Sequence, residues 1–224
     1  ASDVYKRQEG ESPRPPNWQA QAQAMQILAR QMACGSETLL QTLVDTAVEL
    51  CQAQSAGVSL LEVTSNGEEV FRWLVLSGTL ARFAYSTTPR NSHCGVCLER
   101  GTPQLFAYPD RYFTYFQVAE IPVVEVLVLP VMAGDRALGT IWIMSHDEQR
   151  HFDSEDVRVM ASLADFTAAA LLLVQQQTQE LLAKNAQLEA EVVERKRAEE
   201  LAQENEAYFR AIANLVPDLL WRND

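Results

Sequence analysis

The chain has 224 residues, of which 47% are hydrophobic, and its formal net charge is −12. At roughly 150 residues per domain, this length predicts one domain with extensions. The acidic balance argues against a nucleic-acid partner, because such proteins display basic patches. Every continuous apolar run is shorter than the roughly 18 residues that cross a bilayer, and no signal peptide is visible. We therefore expect no membrane span in this sequence and a cytoplasmic location.

The N-terminal residues are predicted to lie outside the folded domain. Residues 1–8 begin without Met and resemble the in-frame translation of an adapter used in sequencing libraries. We expect them to be non-native and the natural chain to begin upstream. Residues 9–16 are polar and rich in proline, and they form a predicted linker.

Two helices and a hairpin are predicted next. Asn17 is suited to cap a helix from Trp18 to about Ala33, and a second, strongly amphipathic helix covers residues 37–53. Strands at residues 56–64 and 70–77 are joined by an Asn-Gly turn, which is typical of β-hairpins. These elements predict a sheet with helices on one side of it.

The middle of the chain is less regular. A short helix is predicted at residues 94–100 and a short strand at 103–108, and an aromatic-rich segment follows at 109–120. Two more strands, at 123–132 and 137–145, form a second hairpin, and the first of them is apolar on both faces. The order of elements predicts an α+β fold, with an antiparallel sheet covered by helices from both ends of the chain.

One long helix is predicted from about Asp153 to about Asn214. Asp153 or Ser154 is a suitable N-cap, and no Pro or Gly follows before Pro217. The first half is apolar on most faces, so we expect it to be buried in the domain. The second half is polar with a narrow seam at coiled-coil spacing, which predicts a homodimer. The seam consists of Leu171, Val174, Thr178, Leu181, Asn185, Leu188 and Val192.

Short sequence motifs resemble the GAF domain family over about residues 36–174. The stretch from Leu129 to Ile141 resembles the family's hairpin pattern, and Phe152 to Asp156 resembles the opening of its last helix. The resemblance implies a GAF-like antiparallel sheet flanked by helices, with a long C-terminal coiled-coil helix. We assign residues 17–174 to a sensory GAF domain and residues 175–207 to a coiled-coil signalling helix.

The C-terminal sequence carries a second resemblance. Residues 194–200 resemble the connector that precedes PAS domains, and residues 208–224 resemble the first helix and first strand of a truncated PAS domain. Together with the string from Tyr108 to Phe113, this implies the front end of a two-component sensor histidine kinase. PAS and kinase domains would then follow in the same chain, and a response regulator would be the parent's partner.

Other functions stay open at this stage. The same front end occurs on cyclic-dinucleotide cyclases and phosphodiesterases, and a GAF branch with methionine sulfoxide reductase activity would use Cys94 as nucleophile. The domain would otherwise be a dimerising spacer that binds nothing. The missing output domain and the substitution Cys94→Ser separate these alternatives.

The segment from His93 to Cys97 is the one local cluster in the sequence suited to chemistry. A zinc site would need a second cysteine pair, which the sequence lacks, so we assign no metal ligand and no catalytic residue. Cys94 stands at a predicted helix N-terminus, where a redox thiolate would be favoured, but buried structural thiols are the main expectation. In bilin-binding relatives His follows the attaching Cys, whereas Gly95 follows here. A bilin is therefore unexpected, and the cofactor is left open.

The resemblance also implies that residues 108–116 cover the sheet face on which GAF domains hold small ligands. Arg111 would meet an anionic ligand there. The alternative is that Arg111 pairs with a local acid and that the aromatic side chains only fill the core. The candidates for the ligand pocket are Cys94, Cys97, Phe106, Tyr108, Arg111, Tyr112, Phe113 and Phe116.

Overall fold

The computed structural model describes residues 14–33, 38–119 and 121–220, without the side chains of 117–119 and 213–220. Residues 1–8, most of the predicted linker and the last residues of the predicted PAS segment lie outside these ranges. The chain forms two compact units that divide between Leu173 and Val174.

Ten helices and strands define the described fold. In chain order they are α1 (Trp18–Ala33), α2 (Leu39–Cys51), β1 (Ser55–Val63), β2 (Glu69–Gly78), β3 (Thr87–Pro89), α3 (His93–Arg100), β4 (Gln104–Ala107), β5 (Glu125–Ala133), β6 (Arg136–Ser145) and α4 (Ser154–Leu220). Short 3₁₀ turns at Ala81–Phe83, Pro109–Arg111 and Thr114–Ala119 shape the connections.

The six strands form one antiparallel sheet in the order β3-β2-β1-β6-β5-β4. The first and last hairpins therefore lie side by side, joined by the pairing of β1 with β6. The register places Ser59 of β1 opposite Trp73 of β2 on one side and Thr140 of β6 on the other. These three residues form one row across the middle of the sheet. The predicted α+β fold is confirmed.

Each face of the sheet has its own hydrophobic core. Helices α1, α2 and α4 cover one face, which contains Leu28, Leu43, Met160 and Leu163. Helix α3 and the aromatic segment cover the other face, which is rich in aromatic residues and includes Trp142. Strand β5 is buried along most of its length, as its continuous apolar sequence predicts.

Two elements differ from the sequence predictions. Strand β3 falls where no period was visible, because three residues pairing with β2 at the sheet edge leave too short a pattern. Helix α4 continues through residues 215–220, where the PAS resemblance implies a strand. A strand needs a hydrogen-bonded neighbour, and the described residues offer none there.

Helix α4 also bears on the membrane prediction. Between Ser154 and Ile212 it contains an 18-residue window of mean hydropathy 1.8, long and apolar enough to cross a bilayer, and 44% of that window is buried in the protein. The core helix of a soluble domain satisfies the same criterion, so the window is weak grounds for a span.

Candidate functional site

Helix α3 lies against the aromatic face of the sheet, and its first turn is closely packed. The Ser92 hydroxyl accepts a hydrogen bond from the Gly95 N–H at 3.4 Å and so caps the helix one residue earlier than predicted. A Cβ at Gly95 would stand 1.9 Å from the Arg90 carbonyl oxygen. Only glycine allows this approach, which presses the start of the helix onto the preceding chain.

His93 is the centre of the buried aromatic cluster. Its Nδ1 forms a hydrogen bond with the Tyr115 hydroxyl, and its Nε2 lies 3.4 Å from the Cys94 sulfur. The rings of Phe113 and Phe116 lie 6.3 and 5.4 Å from the imidazole, centroid to centroid. Burial lowers the pKa of His93 to about 3, so the imidazole is neutral at physiological pH. Burial also raises the pKa of Tyr115, which keeps its phenol protonated.

Both cysteines of helix α3 are buried thiols. The hydroxyls of Thr140 and Ser59 face Cys94, yet burial dominates and raises the pKa of its thiol to about 12. Cys97 donates weakly to the carbonyl oxygen of Val128 at 3.5 Å, and burial raises the pKa of this thiol as well. A helix N-terminus favours a thiolate. Here the loss of hydration outweighs that effect, so neither sulfur is a nucleophile at neutral pH.

The sheet row beneath Cys94 contains polar groups without protein partners. Ser59 accepts from the Trp142 indole N–H at 2.8 Å. The indole nitrogen of Trp73 and the hydroxyl of Thr140 are buried and make no hydrogen bond of normal geometry. Unpaired buried donors and acceptors cost free energy, so such groups usually serve a purpose. The row is therefore a site at which a small molecule would gain hydrogen bonds.

The eight predicted pocket residues separate into two groups. Cys94, Cys97, Phe106, Phe113 and Phe116 belong to, or pack directly against, the buried cluster. Tyr108, Arg111 and Tyr112 lie outside it.

The outer three residues form a local patch. Tyr108 adopts a left-handed conformation with φ +49° and donates its hydroxyl to the Glu148 carboxylate at 2.9 Å. The Arg111 guanidinium lies 4.4 Å from the centre of the Tyr108 ring, and the Tyr112 side chain is 71% exposed. The local partner of Arg111 is therefore an aromatic ring as well as any nearby acid.

An open groove of about 460 Å³ begins at this patch. Asp110 and Glu148 stand on its rim, so the groove has no excess of positive charge to attract an anion. Its lining consists of Tyr108, Asp110, Phe116, Ile121, Pro122, Val123, Val124 and Glu148.

The sequence reasoning left several site residues out of its candidate set. His93 was visible beside Cys94 but was not selected, and Tyr115 stood within the aromatic segment. Ser59 and Trp142 carried no signal, because nothing in a strand's alternation shows which neighbouring strand it will meet. Within the described ranges, no group of three or more His, Cys, Asp or Glu side chains is arranged to hold a metal ion.

The second unit is described by itself. The predicted seam residues are exposed in the single chain, and Val174, Leu181, Leu188 and Val192 are 45%, 61%, 58% and 52% exposed. Regularly spaced apolar side chains on a polar helix form a stripe suited to another helix.

Comparison with a family model identifies the domain. Residues 36–171 match the GAF domain model. This match covers more than half of the chain, and the chain belongs to the GAF domain family, whose members are sensory and signalling modules. A comparison with curated protein sequences gives no match.

Solved structures show the same fold. The GAF domain of a phosphoenolpyruvate-protein phosphotransferase from Coxiella burnetii is 15% identical, with a TM-score of 0.62 over 73% of this chain and 99% of that one. The GAF-B domain of DevS from Mycobacterium smegmatis is 21% identical, with a TM-score of 0.51 over 64% and 97%. Free methionine-R-sulfoxide reductase from Neisseria meningitidis is 17% identical, with a TM-score of 0.54 over 74% and 98%.

Proposed function

We propose that this chain is the sensory part of a two-component sensor histidine kinase and that it relays the state of its buried site through a dimeric helix. The observation that carries the proposal is the row of unpartnered polar groups beneath Cys94. Trp73 and Thr140 are both more than nine-tenths buried and have no protein partner for their polar atoms. A sensor needs a site at which ligand binding changes the free energy of the folded domain, and this row supplies one.

The ligand that fits this site is small and uncharged. His93 is neutral, the thiol of Cys94 and the phenol of Tyr115 are protonated, and the surrounding rings are apolar. A buried ion would need a counter-charge that this cluster does not contain. A neutral molecule with a hydrogen-bond acceptor for the Trp73 indole N–H would be favoured.

The signal would leave through strand β6. Thr140 and Trp142 project into the site from β6, and this strand leads directly into helix α4. Movement of β6 would then alter how α4 packs, and packed helix interfaces switch between discrete states. The apolar seam would pass the change to the partner chain and to PAS and kinase domains further along, in the cytoplasm.

The first experiment is native mass spectrometry, with an absorption spectrum, on the whole chain purified under reducing conditions. A bound neutral molecule of defined mass is the expected result. The variant Thr140→Val removes one polar group of the row with little change in volume, and it should lose that mass. A chain without any added mass, across several expression hosts, would favour the dimerising spacer.

The output domain is tested separately. Extending the coding sequence beyond Asp224 should reveal the rest of a PAS domain and then a kinase, whereas a cyclase or phosphodiesterase would support the alternative front end.

A further inference from the structure

The first turn of helix α4 contains a buried carboxylate that no sensing role described above uses. Asp156 has a fully buried side chain. Asp153 and Asp156 cap the helix reciprocally: the Asp153 carboxylate accepts from the Asp156 N–H at 3.1 Å, and the Asp156 carboxylate accepts from the Asp153 N–H at 2.8 Å. The order of this turn therefore depends on where the Asp156 side chain is held.

Arg150 holds Asp156 from the loop between β6 and α4. Its Nη2 donates to both Asp156 oxygens, at 2.6 and 2.5 Å. The same nitrogen donates to the carbonyl oxygen of Cys51, at the end of α2, at 2.8 Å. This arginine joins the end of α2 to the start of α4.

Arg14 holds the same carboxylate from the opposite end of the sequence. Its guanidinium Nη2 donates to Asp156, and its backbone N–H donates to the Asp153 carboxylate at 2.9 Å. Arg14 belongs to the extended segment that enters the domain before α1, and its side chain is 30% exposed. Both capping residues of the outgoing helix are thus bound by one residue of the incoming chain, 142 positions before Asp156.

We propose that Arg14 and Asp156 form a clamp by which the conformation of the incoming chain sets the order of the first turn of helix α4. This clamp lies within the first compact unit and does not involve the aromatic site. It gives the module a second input, from whatever is attached at its N-terminal side, that acts on the same outgoing helix. The inference does not depend on a ligand being bound at the sheet row.

Hydrogen exchange on the whole chain at pH 7.5 tests the clamp. Burial raises the pKa of Asp156 to about 6, so its carboxylate is ionised at that pH. The variant Arg14→Ala should raise the exchange rate of the amides of Asp153, Glu155 and Asp156 by about tenfold or more, since a charge-assisted hydrogen bond is lost. Arg14 is partly exposed, so this variant should fold.

Asn17→Ala is the matched control. It removes the cap of α1, where the Asn17 side chain accepts from the Ala20 N–H at 3.1 Å, and it leaves Arg14 in place. This control should loosen the start of α1 and leave the amides of α4 unchanged. The clamp is refuted if Arg14→Ala loosens only the incoming segment. It is equally refuted if the two variants speed exchange at Glu155 and Asp156 to the same extent.

Discussion

His93 is a base that the fold keeps neutral inside an apolar cluster. Its pKa in the folded protein, about 3, lies far below the ordinary value of 6.5, and burial is the cause. The unfolded chain therefore binds a proton that the folded domain does not accept between these two values. Stability that is present above pH 6.5 is lost progressively as the pH falls towards 3.

The variant His93→Gln should reduce this pH dependence. Between pH 7 and pH 5 the native imidazole should cost the protein about 2 kcal/mol of unfolding free energy, at about 1.4 kcal/mol per pH unit below the unfolded pKa. Glutamine does not titrate and keeps a polar atom for the Tyr115 hydroxyl. Urea denaturation at pH 5, 6 and 7 measures the difference. Equal slopes in the two proteins would contradict a buried neutral His93.

Cys94 and Cys97 should resist alkylation in the folded protein. Only the thiolate reacts, and a thiol pKa of about 12 leaves a thiolate fraction at pH 8 smaller than that of a free cysteine by a factor on the order of a thousand. N-ethylmaleimide labelling followed by peptide mapping measures each site. The same chain in denaturant is the control and should label quickly. Rapid labelling of native Cys94 would revive the reductase alternative.

At the scale of elements, the central strand pair depends on one close approach. A Cβ at Gly139 of β6 would stand 2.0 Å from the carbonyl oxygen of Ser59 in β1. The glycine of the GAF-like hairpin motif is therefore explained by the pairing of the two hairpins, because a side chain there would force the strands apart.

Gly139→Ala should lower the free energy of unfolding by about 2 kcal/mol or more, since overpacking against backbone cannot relax. Gly67→Ala, at the tip of the first hairpin, is the comparison. Its Cβ would meet nothing within 4 Å, and only the positive φ of 83° opposes it, so a loss of about 1 kcal/mol is expected. Chemical denaturation of both variants measures the two losses, and a reversed order would contradict the strand packing.

The seam of helix α4 should hold a dimer. Replacing Leu181 and Leu188 by Asp places charges at two interface positions of the predicted coiled coil, so the chain should become monomeric. Ala190→Asp, on the opposite side of the helix, should leave the dimer intact. Light scattering coupled to size-exclusion chromatography measures the mass of each. A dimer that survives the double substitution would place the interface elsewhere.

At the scale of the whole molecule, the chain divides between Leu173 and Val174. Both buried cores end before that point, and Ala170 is their last fully buried residue. A chain cut after Leu173 should therefore unfold cooperatively on heating. Residues 174–224 alone should show concentration-dependent helicity, because an isolated polar helix gains its stability from a partner. Circular dichroism measures both, and a non-cooperative melt of the shortened chain would contradict the division.

Much of the architecture was predictable from local sequence. The Asn-Gly turn, the apolar strand β5 and the uncapped length of α4 are features of short stretches, so periodicity and turn chemistry indicate them directly. The candidate site was predictable in part. Cys94 and Phe113 carried a motif-like signal, whereas Tyr112 was selected for its neighbourhood and is exposed in the structure.

The sequence by itself determined the order of the elements, the α+β class and the resemblance to GAF domains, since each follows from residues close together in the chain. Only the tertiary structure decided which distant residues meet. The pairing of β1 with β6 brings Ser59 to Trp142, and the docking of the incoming segment brings Arg14 to Asp156. Such contacts depend on strand order and register, which no local pattern specifies.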